Sequence, residues 1–169
     1  MLLRNAHKLL IATQGLTLIF LFWSAAGLPP EFAAHFNAAG LPDRYSSRTA
    51  HLILMTLLIV GLPALVTGLV SAVLRADVPI NVPHADYWLA DQRKAATIAC
   101  LRSFVMLIQV WMVLFFGYTH ILIVQANQAA VVQLPATASM LGLTIFLAGA
   151  LGGAGMLIRH FARPPLDCN

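Results

Sequence analysis

Charge is what this sequence has least of. Asp, Glu, Lys and Arg make up 9% of its 169 residues against 60% hydrophobic residues, and the mean hydropathy is +0.83. A soluble domain of this size carries about a quarter charged residues to cover its surface, so a soluble globular fold is excluded. Cysteine is nearly absent too: Cys100 and Cys168 stand far apart and form no C-x-x-C pair. That excludes a disulfide scaffold, and both thiols are expected to be inert.

Several catalytic signatures are missing as well. There is no G-x-S-x-G, no H-E-x-x-H and no pair of aspartates inside an apolar run, so the chain is read as a non-enzyme. No stripe of basic residues alternates with aromatics, which removes nucleic acid as a partner. No Asp, Glu, Lys or Arg lies at membrane depth, and a proton-coupled pump or ion channel normally places charged groups there.

What is present is long apolar runs. The first extends from about Leu9 to Leu28, the second from Ala50 to Leu74, the third from Arg102 to Ala126 and the fourth from Thr137 to Ile158. A helix of roughly 20 apolar residues spans the hydrocarbon and satisfies its own backbone there. The expected fold is therefore all-α, a four-helix transmembrane bundle forming a single membrane domain over residues 1–169, with the lipid bilayer as its first partner. The first run is too long for the roughly 7 to 15 apolar residues of a secretory signal.

Basic residues set the orientation, because positively charged loops resist translocation. Arg4, Lys8, Arg75, Arg93, Lys94, Arg102, Arg159 and Arg163 fall on one side of the runs, and only Arg44 and Arg48 on the other. Both termini and the 75–101 connection are expected in the cytoplasm, with 29–49 and 127–136 outside. The pI of about 9.6 reflects this topology rather than a basic binding surface. Within the inner connection, Tyr87 and Trp88 are expected to anchor at the headgroups, and Asp91 to cap a helix running on through Arg102.

Small and polar residues mark where the helices touch. Gly149 and Gly153 form a G-x-x-x-G pair on the fourth helix, the spacing that lets two membrane helices approach closely. Pro63 should kink the second helix about one turn before itself. Gln109 and His120, eleven residues apart, fall on one helical face, with Gln14 or Thr17 of the first helix as expected hydrogen-bond partners.

The most distinctive stretch is the outer connection, where His35, Phe36, Asn37, Gly40, Pro42 and Asp43 match a pattern reading roughly I-P-x-H-F-N-x-x-G-x-P-D-x-W. With Ile80-Asn81-Val82-Pro83 and Tyr87-Trp88-Leu89, it resembles the bacterial membrane family called domain of unknown function 1648, over about residues 9–94. Tyr45 stands where the pattern has Trp, and Phe32-Ala33 replaces Ile-Pro. The resemblance implies a multi-pass protein of the bacterial inner membrane. It also implies a link to SdpI-like proteins, which act in immunity and signalling against a secreted toxin.

Two functions follow as expectations. In the first, the protein works by protein or peptide contacts at its outer loop, as an SdpI-like or accessory subunit, with the loop motif held as an ordered turn around Gly40. In the second, His35, His51 and His120 gather towards the outer face as ligands of a metal or haem within a larger complex. The topology is directly testable. With Ser47→Cys, Ala90→Cys and Gln128→Cys made singly in a chain lacking other cysteines, an impermeant thiol reagent applied outside should label positions 47 and 128 and spare 90; the reverse pattern would refute the orientation.

Overall fold

A computed structural model describes residues 5–75 and 80–164, so the expectations placed on Arg4, on residues 76–79 and on Cys168 lie outside the described residues. Four helices are long and apolar enough to cross a membrane: α1 (Ala6–Ala25), α2 (Arg48–Arg75), α4 (Asp91–Gln128) and α5 (Ala136–Phe161). Between α1 and α2 stand β1 (Glu31–Phe36) and β2 (Pro42–Ser47), and before α4 comes a single turn, α3 (Ala85–Trp88). Large apolar side chains such as Leu16, Ile19, Trp23, Leu151 and Met156 are exposed around the bundle, as lipid contact requires.

The two strands correct the all-α expectation. The connection read as a loop is an antiparallel hairpin pairing Glu31 with Ser47, Ala33 with Tyr45, His35 with Arg44 and Phe36 with Pro42. Its register slips on either side of His35. Each slip breaks the alternation of apolar and polar residues that would have announced strands. At the tip, Asn37 Oδ1 accepts from the amides of Ala39 and Leu41, and Gly40 turns the chain at φ 75°.

Pro63 acts on α2 as its chemistry dictates. Without an amide hydrogen it leaves the carbonyl of Ile59, four residues back, without a helical donor. The helix widens into a π-turn over Leu57–Gly61, closed by the Leu62 amide on the Leu57 carbonyl. Gln14 of α1 reaches across and donates to the Ile59 carbonyl at 2.9 Å. Gln109 in turn pairs with Thr67 of α2 at 3.2 Å rather than with Gln14 or Thr17. Gln14 is already engaged by the carbonyl that Pro63 strands.

The core runs along α1, α2 and α4 through Leu10, Leu21, Met55, Ile59, Val110 and Val113. A second cluster at the hairpin end joins Ala25, Leu28, Phe32 and Val124. At the opposite end Asp91 is the first residue of α4 rather than its cap, which is Ala90. There Arg93 lies over the Tyr87 ring at 3.9 Å, and Trp88 Nε1 donates to the Phe161 carbonyl.

Helix α5 packs on α4 through aromatic rings laid into glycine notches. Trp111 Nε1 donates to the Phe146 carbonyl at 3.0 Å, and Tyr118 donates its hydroxyl proton to the Ala138 carbonyl at 2.7 Å. These bonds press the two rings onto Gly149 and Gly142, where an added Cβ would lie 2.6 Å and 2.1 Å from ring carbons. Trp111 and Tyr118 are two turns apart, as are Gly142 and Gly149, so the notches repeat in step. Gly153 is buried but looser, its Cβ position 3.5 Å from Ile108, while Gly152 faces open space.

Gly142→Ala or Gly149→Ala should therefore cost about 1–3 kcal/mol through overpacking against a ring held by its own hydrogen bond. Gly152→Ala should be neutral or mildly stabilising. Thermal unfolding in detergent checks this, and equal midpoints for Gly149→Ala and Gly152→Ala would contradict the packing.

Candidate functional site

Two histidines from different helices meet inside the hairpin end of the bundle. His51, one turn into α2, and His120 of α4 are 4% and 1% exposed. Nε2 of His51 stands 3.0 Å from Nδ1 of His120, edge to edge, with the ring planes 28° apart. Nε2 of His120 is 2.8 Å from the hydroxyl of Ser24 on α1. Ser24 also lies 2.7 Å from the carbonyl of Phe20, which can only accept. A hydroxyl has one proton, so when Ser24 donates it to Phe20 it must accept from His120. The chain then reads His51 Nε2–H to His120 Nδ1, and His120 Nε2–H to Ser24 Oγ, with every contact satisfied.

Apolar groups close this chain. Phe32 of β1 meets the His51 ring edge-on at 5.1 Å, and Phe20 meets that of His120 at 5.9 Å. Deeper in the bundle Leu21, Met55 and Val113 are almost fully buried and form a dry layer. Gln109 lies beyond it, eleven residues from His120 and thus about 16 Å along α4. Among the described residues no hydrogen bond links the histidines to the Gln109–Thr67 pair. The polar chain ends inside the protein instead of running through it.

His35 stands apart from the other two. Its Nδ1 pairs with Asp43 Oδ1 across the hairpin at 2.5 Å, with side chains 62% and 41% exposed. Its ring borders a half-open cavity of about 530 Å³ shared with Phe36, Tyr118, Thr119 and Ser139. The structure thus brings His51 and His120 together and leaves His35 on the surface. Among the described residues, no three His, Cys, Asp or Glu side chains are grouped to hold a metal ion.

The hairpin is fastened to α4, to the start of α2 and to the connection before α5. Asn127 of α4 accepts from the Ala33 amide at 2.9 Å and donates to the Ala33 carbonyl at 2.8 Å, doing for β1 what a third strand would do. The Leu134 amide bonds the Gly40 carbonyl at 2.8 Å, so close that a Cβ on Gly40 would lie 2.4 Å from the Leu134 oxygen. Arg48 holds the hairpin's base, its amide on the Pro30 carbonyl and its guanidinium on that of Leu28. Sequence reasoning missed Ser24, Arg48 and Asn127. Their signal was faint: each is a polar residue near the end of an apolar run.

Ala33 is fully buried, so its amide and carbonyl depend on Asn127 alone for their side of the strand. Asn127→Leu should cost about 1–3 kcal/mol for each orphaned group. His35→Ala removes an exposed pair and should cost under ~1 kcal/mol. Unfolding in detergent with amide exchange at Ala33 measures both, and a smaller loss for Asn127→Leu than for His35→Ala would refute this division of roles.

No curated protein and no solved structure gives a significant match to this chain. A family match exists for a shorter stretch than the sequence resemblance suggested, ending at Val60 and leaving Ile80–Pro83 and Tyr87–Leu89 outside it. It holds Gln14, Ser24, the whole hairpin, Arg48, His51 and Ile59. This segment, residues 13–60, matches the model of the family described as Domain of unknown function (DUF1648).

Proposed function

We propose that this is a non-enzymatic multi-pass protein of the bacterial inner membrane that binds a protein or peptide partner with its hairpin. The hairpin faces the outside in this reading, both termini are cytoplasmic, and the role is that of an SdpI-like immunity or signalling protein or of an accessory subunit. The observation that carries it is the one-sided fastening of the hairpin. Its β1 side is bonded to Asn127 and its tip to Leu134, while β2 has β1 on one side and, among the described residues, no strand on the other. Along β2, Asp43, Arg44 and Tyr45 are exposed.

A strand held rigidly and open along one edge suits an extended peptide, which gains main-chain hydrogen bonds without ordering the receptor. The basic asymmetry of the sequence supports the orientation. Transport fits poorly, because the buried polar chain stops at the Leu21, Met55 and Val113 layer. A haem held between His51 and His120 also fits poorly. Axial nitrogens about 2 Å from an iron on opposite sides would stand ~4 Å apart with the macrocycle between them, whereas these two are in direct hydrogen-bond contact.

A photo-crosslinking residue placed at Tyr45 in intact cells should give a discrete adduct, and one at lipid-facing Leu151 should not. Gly40→Val, which a left-handed φ and the nearby Leu134 carbonyl both forbid, should abolish the Tyr45 adduct. Absence of any Tyr45 adduct, or one that persists in the Gly40→Val chain, would overturn the proposal.

A further inference from the structure

A neutral imidazole has one lone pair to offer a cation, and the partner of its other nitrogen decides which one. At His120 that choice is made by Ser24. With the Ser24 proton on the Phe20 carbonyl, Nε2 of His120 is the donor and Nδ1 keeps its lone pair, aimed at His51. One helical turn beyond His51, on the same face of α2, lies Met55, buried to 4% exposure and carrying a soft thioether.

We infer that His51, His120 and Met55 form a binding site for a soft monovalent cation of the Cu(I) class, with Ser24 as the residue that orients His120. The donor set selects this class. Thioether and imidazole suit Cu(I), whereas hard divalent ions favour carboxylates and water. The nearest acidic side chains by sequence, Glu31 and Asp43, are exposed on the hairpin, and the guanidinium of Arg48 lies one turn before His51. With only neutral donors at membrane depth, an ion of charge two would leave twice the uncompensated charge of an ion of charge one.

At the two nitrogens the change is small. Two nitrogens about 2 Å from a shared ion in a trigonal arrangement stand ~3.4 Å apart, so the rings separate by a few tenths of an ångström from their present 3.0 Å and each turns by roughly 30° to aim its lone pair at the ion. The proton between them re-seats on Nδ1 of His51. No proton leaves, the oxidation state is unchanged, and the site gains only the charge of the ion. His120 needs no tautomer change, because Ser24 already holds it in the liganding form. This inference stands independently of the hairpin's role in partner binding.

The test uses the full chain in detergent with Cys100→Ser and Cys168→Ser removing thiol competition, titrated with Cu(I) under reductant against a chromophoric Cu(I) chelator. One equivalent should bind. His51→Ala and His120→Ala should each weaken binding by roughly 100-fold or more, and Ser24→Ala by roughly 10- to 100-fold, restored by Ser24→Thr. His35→Ala should have no effect. Because the histidine variants remove core side chains, the near-isosteric Met55→Leu decides: it should keep the fold, weaken binding by roughly 10-fold, and remove the sulfur scatterer from the copper X-ray absorption spectrum. Three results would overturn the site: no more Cu(I) in the wild type than in the double histidine variant, an unchanged sulfur signal in Met55→Leu, or equally tight Zn(II) binding.

Discussion

In hydrocarbon, a backbone carbonyl or amide that lacks a protein partner has no water to turn to. That constraint accounts for where this chain places its few polar side chains. Gln14 satisfies the carbonyl that Pro63 strands at Ile59, and Asn127 satisfies both groups of Ala33. Trp111, Tyr118 and Trp88 each end on a carbonyl of α5 or its last residue, fixing the helix while filling space against it. Two side-chain groups depart from this pattern: Gln109 bonds Thr67, and His51 and His120 bond each other and Ser24, with no hydrogen bond from Gln109, Thr67 or either histidine to a backbone group among the described residues. Polar groups so deeply buried and not needed by the backbone are where function is sought in a membrane protein.

The fold and the site are linked through the hairpin. Phe32 packs into the cluster of Ala25, Leu28 and Val124 and at the same time meets the edge of His51. Disturbing the hairpin therefore exposes the histidines, and moving the histidines loosens the hairpin's main apolar anchor. The exposed pair of His35 and Asp43 lies on the protein's surface and takes no part in this coupling.

Much of the architecture was legible in the sequence, because a membrane span is announced by length and hydropathy alone. Each of the four apolar runs overlaps one of the four long helices, and a π-turn over Leu57–Gly61 stands just before Pro63, where a kink was expected. The strands were not legible, since the register slips around His35 scramble their alternation. Glycine spacing identified the packing face of α5 but not its depth. Gly149 is pressed by Trp111 and Gly142 by Tyr118, whereas Gly153 has ordinary room, and only the rings on the facing helix decide that. Helical period put Gln109 and His120 on one face, yet their partners depend on how far α1 and α2 slide along α4, which no local pattern records.

The two bonds that join Asn127 to Ala33 cross 94 residues, and the contact of Leu134 with Gly40 crosses as many. A ribosome adding about 5–20 residues per second makes the hairpin roughly 5 to 20 seconds before the groups that complete it. During that interval the inner edge of β1 has no Asn127, His51 has no His120, and Ile59 alone among these groups already has its partner in α1. The first half of the chain must therefore wait in the membrane with its polar edge open, and insertion of α4 is the event that closes the hairpin and the histidine chain together.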